Sequence, residues 1–156
     1  QNTTRVHHWP VIRYAEVLLS YAEAMNEAYG PDNNNGYVLN ARQAINAVRA
    51  RPDVAMPVVV AADKNAFRLA VKREKQVELA FENHRFWDLL RWKDAENVLN
   101  QPMRGLQITK NAAGRFVYTV ANIENRVFNS SRMYFYPIPQ SEINKSNSIL
   151  RQNPGW

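Results

Sequence analysis

The stretch WPVIRYAEVLLSYAEAMNEAYGP, Trp9 to Pro31, decides the fold. Val11, Ala15, Leu18, Ala22, Met25 and Tyr29 recur at steps of three and four, and Tyr14, Tyr21 and Ala28 widen that stripe. Arg13, Glu16, Ser20, Glu23 and Glu27 leave only a narrow polar strip. The spacing predicts a helix over 9–29, buried on most sides. Gly30 supplies a left-handed cap and Pro31 cannot continue the hydrogen-bond ladder.

Working outward, Asp32-Asn33-Asn34-Asn35-Gly36 reads as a polar turn, after which Tyr37, Ala41, Ala44, Ile45 and Val48 mark a second helix ended by Pro52. Two helices joined by a short turn must run antiparallel, so residues 9–50 are expected to form a hairpin in the style of tetratricopeptide units, without that repeat's consensus. A Pro-rich loop covers 51–62. A third helix is expected from Asp63, an N-cap, with Phe67, Ala70, Val71, Val77, Ala80 and Phe81 on its buried side. Asn83 tolerates a left-handed backbone and is the expected break before a fourth helix, 85–98, carrying Phe86, Leu89, Leu90 and Trp92. Residues 63–98 thus make a second expected hairpin. Beyond it, Leu106–Lys110 and Phe116–Val120 alternate around Asn111-Ala112-Ala113-Gly114 as a small β-hairpin. The rest of 99–156 is irregular and aromatic: Tyr134-Phe135-Tyr136-Pro137-Ile138-Pro139 is extended, Gln140 to Ile143 is a helical turn, and the segment is expected to pack back across the helices. The fold class is mainly α.

Composition narrows the chemistry. The 156 residues include no cysteine, which excludes a disulfide framework and thiolate catalysis and leaves the compartment open. No apolar run approaches the roughly 20 residues that span a bilayer. The chain opens on Gln1-Asn2-Thr3-Thr4-Arg5 with neither an initiator Met nor a signal sequence, and reads as a fragment or processed product whose targeting signal lies upstream. A net charge of +6 invites a nucleic-acid reading, but the cations of 42–51 and 68–75 are dispersed among apolar and acidic residues as on a solvated helix face, so no nucleic-acid partner is expected.

The run Lys72 to Lys93 is the most distinctive. Glu74, Glu78 and Glu82 step by four, Arg85, Asp88 and Arg91 by three, and Phe81, Phe86, Trp87 and Trp92 lie between them. Two carboxylates flanking a bond about 5 to 9 Å apart would suit a glycosidase. Each carboxylate here, however, has an Arg or Lys three or four positions away, which depresses its pKa, whereas a general acid needs it raised. The run is therefore expected to be a structural ion-pair network, and no catalytic residue is assigned. His7 and His8 point to different sides of any regular element and His84 is remote, so no metal site and no cofactor is expected. Trp87 and Trp92 are expected in the core, leaving Trp9 as the better candidate for exposure to a sugar ring.

Several of these stretches occur together in one order: Arg13-Tyr14-Ala15-Glu16-Val17-Leu18-Leu19 with Tyr21-Ala22-Glu23-Ala24, then Ala47-Val48-Arg49-Ala50-Arg51, then Arg73-Glu74 with Glu78-Leu79-Ala80-Phe81-Glu82. Arg85-Phe86-Trp87-Asp88-Leu89-Leu90-Arg91-Trp92, Tyr136 to Ile143 and Gln152-Asn153-Pro154-Gly155-Trp156 follow. In this order they resemble the carboxy-terminal region of the SusD/RagB family of outer-membrane nutrient-binding lipoproteins, over Tyr14 to Trp156. The resemblance implies a helical fold with tetratricopeptide-like pairs and a surface-exposed protein of the bacterial outer membrane that binds oligosaccharides without cleaving them. It also implies a partner, a TonB-dependent transporter of the SusC type, and membrane contact only through a lipid anchor in an amino-terminal part not in this chain. Asn83 stands where the family often has Gly, and the loop 51–62 departs from the family's usual continuation. No glycan-binding residue transfers, because the family's ligand contacts come largely from variable loops and upstream regions. The alternative is a helical-repeat adaptor for peptides or protein partners. A glycan binder should expose an aromatic platform beside amides or carboxylates, and an adaptor a groove of charged and small residues.

Overall fold

The computed structural model describes residues 11–147 and 149–156. Among them are six helices, α1 (Tyr14–Tyr29), α2 (Ala41–Arg49), α3 (Lys64–Glu78), α4 (Arg85–Arg91), α5 (Ala95–Leu99) and α6 (Gln140–Lys145), and one antiparallel pair of strands, β1 (Met103–Lys110) and β2 (Phe116–Glu124). The fold is mainly α, as the periodicity implies. The chain divides into two compact units, Gln1–Arg85 and Phe86–Trp156.

In the first unit α1 packs on both α2 and α3. The helix begins five residues later than expected, because Arg13 has extended backbone and serves as the N-cap, its carbonyl accepting from the amides of Glu16 and Val17. Ala15, Leu18, Leu19, Ala22 and Met25 are buried, whereas Val11, Tyr14 and Tyr29 are exposed, so α1 is buried along one side and not on most of them. Gly30 has φ +86° and donates to the Asn26 carbonyl, the left-handed stop read from the sequence. The second helix starts at Ala41, not near Tyr37, because Asn40 and Gln43 form a capping box: the Gln43 amide donates to Asn40 Oδ1 at 2.8 Å, and the Asn40 amide to Gln43 Oε1 at 2.9 Å. Fully buried Ala41 and Ala44 let α2 approach its neighbours closely, and the first turns of α1 lie beside the last turn of α2, so the two run antiparallel.

Asp63 caps α3 as expected, accepting from the amides of Asn65 and Ala66 at 2.8 and 2.9 Å. The buried side differs from the expected one. It steps by four through Phe67, Val71, Lys75 and Leu79, while Val77 is 60% exposed and Phe81 wholly so. Lys75 completes this stripe by laying its aliphatic stem along the core, with its ammonium 3.7 Å from Glu23. The helix also ends early, at Glu78. Phe81 and Asn83 both take positive φ, 64° and 63°, so the left-handed turn expected at Asn83 is preceded by another that swings Phe81 into water.

In the second unit Leu89, Leu90, Ala95 and Phe128 form the core, with Phe86, Val98, Leu99, Met133 and Tyr134 around them. The single helix expected over 85–98 is two. Lys93 has φ 60°, the Asp94 amide donates to the Leu89 carbonyl and the Lys93 amide to that of Leu90, a Schellman turn with lysine where glycine is usual. The strands extend beyond the expected 106–110 and 116–120, with Leu106, Ile108 and Lys110 opposite Val120, Tyr118 and Phe116.

The closing residues clasp the aromatic segment. Gln152 pairs with both backbone groups of Ile138, at 2.8 and 2.9 Å, as a neighbouring strand would. Asn153 donates to the Tyr136 carbonyl at 2.6 Å. The Trp156 indole N–H donates to the carbonyls of Phe135 and Arg132 at 2.9 and 3.1 Å, with the Arg132 guanidinium 4.9 Å from its ring. Tyr134 stands edge-on to Phe128 and its hydroxyl reaches the Lys93 carbonyl, so the irregular segment packs on the core of its own unit.

Candidate functional site

The carboxylates of the 72–93 run sit at the end of α3 and the start of α4, and all are paired. Arg51 grips Glu78 through Nη1 and Nη2 at 2.8 and 2.9 Å. Arg13 places Nη1 2.6 Å from Glu78, and holds Glu82 through Nε and Nη2 at 2.7 and 2.8 Å. Arg49 bonds Glu74. The run forms an ion-pair network, but its partners are not the expected neighbours three or four positions away. They arrive from the N-cap of α1 and the end of α2, and so tie three helix ends together. Asp88 follows the local rule, with Arg91 at 2.8 Å.

Pairing sets the proton chemistry. The hydrogen bonds from the Arg13 guanidinium hold the Glu82 carboxyl below its ordinary 4.5, against an opposing contribution from desolvation, with further help from the charges of Arg13 and His84. That is the reverse of a general acid's requirement. A depressed carboxyl contributes stability that is complete above the unfolded pKa and is lost as pH falls through the folded one. Thermal stability is therefore expected to fall below about pH 4.5, and Glu82→Gln to make that acid limb shallower, the Glu27 and Asp32 carboxyls held low by Arg68 and Arg42 keeping the remainder. Melting curves from pH 3 to 7 check this; an unchanged acid limb would mean the pair is fully screened.

Two further surfaces stand out among the described residues. A groove of about 370 Å³ in the first unit is lined by Arg13, Tyr14, Ala15, Leu18, Ala47, Val48 and Arg51. Its floor is small and apolar, and the guanidiniums at its edge are committed to Glu78. The second unit exposes aromatic rings. Trp87, expected in the core, is 51% exposed, because Phe86, Leu89 and Leu90 take the buried side of the short α4 and Trp87 lies a quarter turn away. Its ring lies 5.8 Å from that of Tyr136, 59% exposed, with 39° between the planes. Phe86 stands edge-on behind Trp87 at 5.5 Å, and Asn153 fixes the Tyr136 backbone. Two inclined, half-exposed rings held in place can take the C–H faces of a sugar with little rotamer entropy left to lose. Reading the 86, 89, 90 spacing as the buried stripe would have found Trp87; Tyr136 carries no such signal in an irregular segment. Trp92 is half-buried with the Arg91 guanidinium 5.1 Å from its ring. Trp9, His7 and His8 lie outside the described residues, and His84 sits 3.6 Å from Glu16. Among the described residues no three His, Asp or Glu side chains are placed to hold a metal, and no helix is long and apolar enough to cross a membrane.

The sequence model of the SusD family matches residues 1–156. SusD-like protein P2 of Formosa agariphila is 28% identical over 148 residues, 93% of this chain and 25% of that protein. SusD-like protein P25 of the same organism is 35% identical over 94 residues, 58% of this chain and 17% of its own length. Among solved structures, a SusD-like protein from Bacteroides fragilis superposes with a TM-score of 0.77 at 32% identity, over 95% of this chain and 26% of that one. A SusD-like carbohydrate binding protein from the same organism gives a TM-score of 0.66 at 34% identity, over 86% of this chain and 27% of its own. The chain spans between 17% and 27% of the length of these relatives.

Proposed function

The chain belongs to the SusD family, and from that membership we propose that it serves as the carboxy-terminal part of a SusD-like domain that binds glycans for nutrient uptake at the bacterial outer membrane. In this reading it works on the cell surface beside a TonB-dependent transporter of the SusC type, and it binds oligosaccharide without cleaving it. The observation that carries the reading is the family match over the whole chain, supported by the likeness to a carbohydrate-binding relative. Two features agree with it: the Arg13-bound Glu82 is a poor proton donor, and the Trp87–Tyr136 platform, with the Asn153 amide against its backbone, suits a pyranose face. The α1–α2 groove favours the second reading, a peptide or protein adaptor, since its small apolar floor fits a side chain better than a sugar.

Glycan-array binding by a full-length family protein containing this chain, beside the chain alone, with product analysis on every hit, separates the readings. Binding without products supports uptake; cleavage overturns the non-catalytic part; silence from both moves the weight to the adaptor. For glycans that bind, Trp87→Ala is expected to weaken affinity roughly tenfold, the loss of about 1.4 kcal/mol of stacking. Unchanged affinity by calorimetry would place the site elsewhere.

A further inference from the structure

One extended segment of the first unit has one edge fastened and the other open. Arg42, Asn46 and Arg49 follow each other at steps of four and three along α2 and so share one face of it. Arg49 Nε donates to the Pro57 carbonyl at 2.7 Å, Asn46 Oδ1 accepts from the Val59 amide at 2.9 Å, and Arg42 donates to the carbonyls of Val59 and Ala61, each at 2.9 Å. The backbone groups of alternate residues thus face α2, the pattern of an extended strand. Those of Val58 and Val60 therefore face the opposite way, and among the described residues they bond to nothing. Val59 and Ala61 pack against the core, whereas Val58 is 65% and Val60 91% exposed. The helix side chains that hold the segment are themselves braced: Asp32 holds the Arg42 guanidinium at 2.6 and 2.9 Å, and Glu74 bonds Arg49.

We infer that this open edge takes up an extended segment of another protein as an added strand, a segment apolar or β-branched in its middle and basic at its ends. The edge presents a donor and an acceptor at Val58 and again two residues on, at Val60, and extended backbone supplies the complement at that repeat. Held beforehand by α2, the edge has little freedom left to lose when it is paired. Charge selects the occupant. Asp53 and Asp63 stand beyond the two ends of the segment, both are exposed, and neither forms an ion pair among the described residues, so the complement is basic there. An antiparallel second copy would bring the Asp53 end of each edge to the Asp63 end of the other, like charge against like. The inference goes beyond glycan binding and does not rest on it, and its readout needs no sugar.

The probe is a short end-blocked peptide of alternating valine and threonine with a lysine at each end, compared with the same peptide ended in aspartates. Amide hydrogen exchange followed by NMR reads the edge residue by residue. In the chain alone the Val59 amide, held by Asn46, is expected to exchange slowly and those of Val58 and Val60 freely. Saturating lysine-ended peptide should slow Val58 and Val60 roughly tenfold or more, and the aspartate-ended peptide should bind roughly tenfold more weakly. Val60→Pro removes one edge donor and spares the Val59 bonds to α2, because the lost N–H points outward and proline suits an edge strand. It is expected to weaken the peptide roughly tenfold, with Val59 still protected as proof that the segment stays fastened, while Val60→Thr changes affinity by less than about threefold. Binding that leaves Val58 and Val60 unprotected, equal affinity for the two peptides, equal affinity of Val60→Pro and the parent, or no saturable binding overturns the inference. So does protection of Val58 and Val60 without peptide, in the chain alone or in a full-length family protein containing it: protection that rises with concentration assigns the edge to a second copy, and protection that does not assigns it to the protein's own chain.

Discussion

Glu78→Ala is expected to lower the stability of the first unit by about 3 kcal/mol, the low end of what breaking a buried ion pair costs. Its carboxylate is only 13% exposed and is shared by two guanidiniums, Arg13 and Arg51. Its removal leaves two cations near the ends of α1 and α2 with their hydrogen bonds unmet, and the cost is kept at the low end because Arg51 is 37% exposed and can turn to water. Glu82→Ala should cost less, since Arg13 keeps Glu78 and the Glu82 side chain is a third exposed. Urea denaturation followed by circular dichroism measures both, and a cycle with Arg51→Ala isolates the coupling. If Glu78→Ala costs less than about 1 kcal/mol, the network is screened as a surface pair would be, and the three helix ends are held by their apolar contacts alone.

That network also marks how far the sequence could be read. That the run forms ion pairs is legible from the density of opposite charges, yet the partners are not, because Arg13 and Glu82 lie 69 positions apart and no local spacing announces a contact made by tertiary packing. Helix boundaries written in residues with a strong local preference, the Gly30 stop and the Asp63 start, are readable for the same physical reason that they work. Stops at Phe81 and Lys93 were not. Both are left-handed positions occupied by residues with no preference for them, stabilised by the surrounding hydrogen bonds, and so the third helix was read too long and the fourth and fifth as one. The same blind spot hid Trp87: an aromatic residue in an apolar run reads as core unless the buried stripe is assigned first. In the closing motif the residues were recognisable as a pattern, but the reason for them is geometric. Gln152 imitates a strand edge to Ile138, and Asn153 and Trp156 satisfy carbonyls that an irregular segment cannot pair by itself.

Gly155→Ala is expected to open that clasp, at a cost of about 3 kcal/mol in the second unit. Two effects add. Gly155 has φ +83°, a conformation that costs an L-residue roughly 1 to 2 kcal/mol. A Cβ there would also stand 2.6 Å from Arg132 Cβ, 3.0 Å from the Ser131 carbonyl oxygen and 3.2 Å from Arg132 Cα. Two of those are backbone atoms, so no side-chain rotation relieves the contact, and a forced backbone shift costs typically 1 to 3 kcal/mol. Gly114→Ala is the matched control: its φ is +77°, but the nearest atom is the mobile Lys110 Cε at 3.8 Å, so only the conformational part should appear. The excess of Gly155→Ala over Gly114→Ala therefore measures the close approach, and equal costs would show that the carboxy terminus is not held against Ser131 and Arg132. Opening the clasp should also release the Ile138 amide from Gln152, read as faster hydrogen exchange there, and free the Tyr136 backbone from Asn153. A variant that loses Ile138 protection and still binds glycan as tightly as the parent would mean that the Trp87–Tyr136 platform does not need Tyr136 held in place to receive a sugar.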